Sequence, residues 1–155
     1  MKTTRIRFIV AALLLFGWLG WLGYLATTKT NPVMLSRSQA MASTNFVLAK
    51  VKVDASTGLP VREVEIEQDL RPNGEPLAGT IRISNLPEAR IFGQSSPFSG
   101  PGPYLLMLTK SATGYELTLP PRSPGHEGPI RPLPWAYEWS APGVPEQLGS
   151  LVPHR

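Results

Sequence analysis

Cysteine is absent from the chain, and histidine occurs only twice, at His126 and His154. The first absence removes disulfides, thiolate metal sites and cysteine nucleophiles together. Neither histidine has a second histidine or a paired carboxylate at ligand spacing, so neither a metal site nor a cofactor is expected. No Asn-x-Ser/Thr triplet occurs, which leaves glycosylation out. Ser95 and Ser96 lie in Gly-Gln-Ser-Ser-Pro-Phe-Ser-Gly, which lacks the second glycine of a nucleophile elbow at the required distance. No nucleophile–base pair and no carboxylate dyad can be placed, so no catalytic residue is expected and a hydrolase is the least favoured class.

A strongly basic surface is missing as well. The formal charge is +4, but of the fifteen Lys and Arg residues, three (Lys2, Arg5 and Arg7) fall in the leader before an apolar run. From Thr27 onward twelve cations face eleven carboxylates. Nucleic acid is therefore not an expected partner.

What the chain does have is Phe8 to Ala26, nineteen residues without a charge. At ~1.5 Å rise per residue such a helix just spans a bilayer core of ~30 Å. Two readings compete, a cleaved secretory signal and a retained anchor. The run exceeds the ~7–15 residues of a signal's apolar region, and bulky Tyr24 sits where a cut after Ala26 needs a small residue. Retention is the favoured reading. The basic leader stays in the cytoplasm, which makes the cytoplasmic membrane the expected location, with the N-terminus inside and the remaining domain outside. Gly17, Gly20 and Gly23 recur every three residues, whereas the better attested helix-packing spacing is four.

The expected layout is a basic leader at 1–7, a transmembrane helix at 8–26, a linker with a short helix at 27–45, a β domain at 46–119 and a Pro- and aromatic-rich tail at 120–155. Val33 to Ser43 carries a weak helical face with Ser36 as its N-cap. Phe46 to Asp54 and Val61 to Gln68 alternate as half-buried strands do, and the short loop between them makes a hairpin. Pairing sets Lys50 and Lys52 against Glu63, Glu65 and Glu67, an ordinary exposed charge ladder. Arg71 to Pro76 is a turn around Asn73-Gly74. Thr80 to Asn85 is a third strand, Leu86 to Pro103 is irregular, and Tyr104 to Lys110 is apolar enough to be buried on both faces. Ser111 to Gly114 turns that strand into Tyr115 to Leu119. The fold class expected is all-β with one short helix. Behind a single N-terminal transmembrane helix stands a small five-stranded barrel, OB-like, or else a sandwich.

From Pro120 the chain holds nine prolines, which argues for a polyproline strap packed on the domain, with Pro145 to Leu151 helical. Arg131-Pro-Leu-Pro134 begins like an SH3 ligand, but Tyr137 stands where the next proline belongs. Trp135, Tyr137 and Trp139 alternate, so on an extended chain they share a face. Packing on the domain's own core is the commoner cause of such a pattern; stacking on a sugar or anchoring a partner is the functional one. These three are the candidate binding residues.

The WLGYLA end of the apolar run, Val33-Met-Leu-Ser-Arg37, Asn85-Leu-Pro-Glu-Ala-Arg90, Gly100-Pro-Gly-Pro-Tyr-Leu-Leu106 and Pro121-Arg-Ser-Pro-Gly125 together resemble a family of uncharacterised membrane-anchored proteins of planctomycete genomes. The similarity spans most of the chain. It implies an extracytoplasmic domain on a tether and no activity. The expected function is thus a membrane-anchored extracytoplasmic β domain with a binding or assembly role and a protein partner outside the cytoplasm. The alternative is an oligosaccharide- or peptidoglycan-binding barrel using the three tail aromatics.

Overall fold

The computed structural model describes residues 2–28, 33–71, 76–92, 98, 100–112, 114–121 and 132–151. The Asn73-Gly74 turn, Ser95, Ser96, His126, Arg131 and His154 lie outside the described residues. The chain divides into two compact units, Met1–Asn31 and Pro32–Arg155.

In the first unit, α1 (Lys2–Thr28) contains a 22-residue stretch, Ile6–Thr27, with mean hydropathy 2.0. None of that stretch is buried by protein. A helix that is apolar all round must be surrounded by apolar material, and this one is long and apolar enough to cross a bilayer. At its end the Thr27 hydroxyl lies 3.1 Å from the Gly23 carbonyl and 3.0 Å from that of Tyr24. That is the back-bonding by which a threonine inside a helix satisfies its hydroxyl on the preceding turn.

The second unit is one mixed sheet of seven strands, β1 (Asn45–Val51), β2 (Glu63–Arg71), β3 (Gly79–Arg82), β4 (Arg90–Ile91), β5 (Gly102–Ser111), β6 (Gly114–Leu117) and β7 (Trp135–Glu138). The order is β3-β2-β1-β5-β7-β4, and β6 also pairs with β5. Every pair is antiparallel except β4 with β7. Two helices, α2 (Arg37–Ala42) and α3 (Val144–Leu151), complete the unit.

The hairpin β1–β2 forms as its alternation demands, with Lys50 opposite Glu65 and Ala49 opposite Ile66. Its loop is closed by Asp54, whose carboxylate accepts from the Ser56 N–H and hydroxyl, and by Gly58 at φ 67°. Only glycine takes that backbone region without strain. One face of the sheet packs Val47, Ala49, Val51, Val64, Ile83, Leu106, Leu108 and Leu117 into a main core. The other face of β1, β5 and β7 carries Phe46, Leu105, Met107 and Tyr137, which meet Leu35, Ala40, Val144 and Leu148 in a second core. The half-buried reading of β1 therefore needs correcting: in β1 Lys50 alone is exposed, because the helices close over Phe46. The both-face burial of β5 was legible, as five consecutive residues from Tyr104 to Leu108 are buried.

The closed five-stranded barrel does not form, and a two-sheet sandwich does not form either. After Arg82 the chain leaves the ladder for a 3-10 turn at Leu86–Glu88 with Pro87 in its first turn, so β3 is only four residues long. It meets β6 at a single isolated bridge, Ile83 with Tyr115, running parallel. β5 meanwhile divides its far edge between β6 and β7, which leaves the sheet open.

Asn85 extends that short junction with its side chain. The Leu117 N–H donates to Asn85 Oδ1 at 2.7 Å, and Asn85 Nδ2 donates to the Leu117 carbonyl at 2.9 Å. An amide so placed mimics one further residue of a ladder. Asn85→Ala strips a buried strand residue of both partners, and about 1–3 kcal/mol of stability is expected to go with them. Urea unfolding compared with the parent checks this; a change below about 0.5 kcal/mol, as at an ordinary surface site, would contradict the role.

Candidate functional site

The three tail aromatics lie where strand β7 and its end place them. Alternation sends Ala136 into the main core and Tyr137 into the second one. Tyr137 is fully buried, so its ring is core and not part of a surface. Trp135 and Trp139 pack against the same cluster and are half-buried. Phe92 stands against both neighbours, with ring centroids 4.4 Å from Trp135 and 5.5 Å from Tyr137. The common face expected from the spacing exists. It points largely inward, and solvent reaches only parts of the two indoles.

The Tyr137 hydroxyl is held from two sides. It donates to Gln39 Oε1 at 2.9 Å and accepts from the Ser36 N–H at 3.2 Å. Gln39, itself fully buried on α2, donates through Nε2 to the carbonyls of Thr118 at 2.8 Å and Trp135 at 3.2 Å. Ser43 donates to the Gln39 carbonyl at 2.7 Å and lies 2.9 Å from Thr118 Oγ1, and Thr118 in turn lies 2.6 Å from Thr109 Oγ1. Among the described residues no buried side-chain N or O lacks a partner. This polar network joins α2, β5, β7 and the chain after β6. Its parts are amides and hydroxyls with fixed partners, an arrangement that specifies geometry.

Burial pushes the Tyr137 phenol above its ordinary pKa of 10.0, and the Ser36 N–H only partly offsets that. A raised folded value makes the stabilisation complete below the unfolded pKa of ~10 and lost as pH rises through the folded value. Melting temperature is therefore expected to fall more steeply above about pH 10 in the parent than in Tyr137→Phe, which has no proton to lose there. Parallel slopes in melts between pH 9 and 12 would count against it.

Gln147 on α3 does similar work for the segment that follows residues 29–32. The Leu35 N–H donates to Gln147 Oε1 at 3.0 Å, and Gln147 Nε2 donates to the carbonyls of Val33 at 2.6 Å and Gly143 at 2.9 Å. The Val33 N–H donates to the Pro142 carbonyl at 2.9 Å. Residues 33–35 are thus stitched to α3 as if to a strand. Gln39, Gln147 and Asn85 were not singled out in the sequence. The one signal for Gln39 is a polar residue beside Ala40 on the inward face of a capped helix.

The open hollows lined by described residues include two on this unit. One, of about 150 Å³, is lined by Gly100, Pro101, Gly102, Pro103, Tyr104 and Glu138. The other is a groove of about 430 Å³ lined by Met34, Leu35, Arg37, Gln147, Ser150 and Leu151. Among the described residues no cluster of three or more His, Asp or Glu side chains is placed to hold a metal ion. Comparison with family models, with curated proteins and with solved structures gives no match.

Proposed function

We propose that this protein is a single-pass membrane protein whose β domain stands outside the cytoplasm and serves a binding or assembly role. The observation that carries the reading is the 22-residue stretch Ile6–Thr27 of α1, strongly apolar and unburied, in a unit distinct from the packed sheet. The basic leader Lys2, Arg5 and Arg7 favours an N-inside orientation, and the resemblance to tethered planctomycete proteins agrees with it. The order β3-β2-β1-β5-β6, with the Ile83–Tyr115 bridge between its ends, supports an OB-like, partly open Greek-key arrangement. The C-terminal segment, with Tyr137, Val144 and Leu148 in the second core, supports its reading as a strap over the sheet. Affinity purification of the detergent-extracted full chain from its native membrane, with mass spectrometry of what accompanies it, tests the assembly role. A partner recovered in stoichiometric amount supports it; a chain that repeatedly purifies alone counts against it.

The second reading, an oligosaccharide site, rests on the partly exposed Trp135 and Trp139 beside Glu138, which lines the smaller hollow. Indole rings stack on sugars through their apolar faces. Tryptophan fluorescence that does not change on titration with peptidoglycan fragments would exclude it.

A further inference from the structure

Among the described residues of the second unit, the large apolar side chains most exposed are Met41 and Met34, at 85% and 62%. Both precede β1. Met41 lies one helical turn after Arg37 on α2, so the two share a face, and Arg37 shares the 430 Å³ groove with Met34, Leu35 and Leu151. Met34 and Arg37 thus share the groove, and Met41 shares the helix face of Arg37, which puts a cation between two exposed thioethers along this stretch. Glu146, on the same helix as Leu151, does not line the groove, and Arg37 is the charged residue that does.

In sequence only residues 29–32 separate α1 from Val33, a reach of no more than about 18 Å when fully extended. If α1 spans a bilayer, this strip is the exposed apolar surface with the shortest tether to lipid. Methionine adapts to irregular surroundings, and a lone arginine beside apolar side chains suits a surface of phosphates over acyl chains. We propose that the Met34–Arg37–Met41 strip docks on the phospholipid surface, the methionines entering the headgroup–acyl boundary and Arg37 meeting lipid phosphate. The proposal rests on α1 being a retained anchor.

The cysteine-free chain makes a clean test possible. Met41→Cys and, as reference, Leu59→Cys are labelled with the same polarity-sensitive fluorophore. Leu59 is 40% exposed in the β1–β2 loop. Each full chain is reconstituted into phosphatidylcholine–phosphatidylglycerol vesicles containing a nitroxide quencher at headgroup depth. The expected result is at least threefold stronger quenching at position 41 than at position 59, in protein that floats with the vesicles. Equal quenching in floating protein overturns the docking and leaves the anchor intact. Failure to float overturns both. A blue-shifted but unquenched label at position 41 also overturns it, because the strip is then covered by protein and not by lipid.

Discussion

Gln39→Ala is expected to lower the stability of the folded domain by about 3–5 kcal/mol. The fully buried Gln39 amide receives the Tyr137 hydroxyl and donates to the carbonyls of Thr118 and Trp135. Alanine leaves the Tyr137 O–H without its acceptor, takes the Gln39 amide away from two carbonyls, and adds a void where the side chain stood. Each orphaned buried group costs about 1–3 kcal/mol. Relaxation of α2 recovers part of that sum, so the estimate stays below full additivity. Against a total of about 5–15 kcal/mol for an ordinary domain, the loss is a large fraction. Tyr137→Phe removes one hydroxyl and should cost less, about 1–3 kcal/mol. Because the two groups share a hydrogen bond, the double variant should be less destabilised than the sum of the singles by roughly 1 kcal/mol or more. Urea unfolding of the detergent-solubilised chain reads all three. Strict additivity would mean that the pair does not act as a unit.

Ending the chain after Gly143 should have an effect at least as large, about 5 kcal/mol. It removes Val144 and Leu148, which are 0% and 7% exposed, and the Gln147 amide that ties residues 33–35. Two buried aliphatic side chains contribute about 1.5–3 kcal/mol each. Phe46, Met107 and Tyr137 would then present an apolar face to water. The expected outcome is a chain that is unfolded or degraded at growth temperature. A truncated chain with the parent's unfolding midpoint would show that α3 is dispensable and that the second core is not one.

These two changes fall on parts of the molecule that were unequally legible from sequence. The hairpin β1–β2 was readable because alternation and charge agreed, and Lys50 does lie opposite Glu65. The helix start at Ser36 was readable too, since its hydroxyl accepts from the Gln39 N–H at 3.3 Å. Five strands were expected and seven are present. β4 is two residues long, too short for any periodicity, and is defined by what it pairs with: Arg90 opposite Trp135, Ile91 opposite Ala136. β7 sits in a proline-rich stretch that read as polyproline, yet Pro132 and Pro134 precede the ladder and do not interrupt it. The spacing of Trp135, Tyr137 and Trp139 correctly implied one face. Spacing cannot say whether a face looks toward solvent, and here a second layer of helices covers it. The three amides were illegible for the same reason, because what a glutamine meets depends on elements far along the chain. Gln39 and Tyr137, for example, are 98 positions apart.

In the proposed arrangement an uncleaved anchor holds a folded β domain on the outer side of the cytoplasmic membrane. The most direct measurement uses the full chain carrying Leu59→Cys, its single thiol, in intact spheroplasts treated with a membrane-impermeant maleimide. Position 59 is expected to be labelled without lysis, and the labelled chain to stay in the membrane pellet at full length. Labelling that appears only after lysis would place the domain in the cytoplasm. Labelled protein released in shortened form would show that α1 is a cleaved signal, and either result contradicts the account.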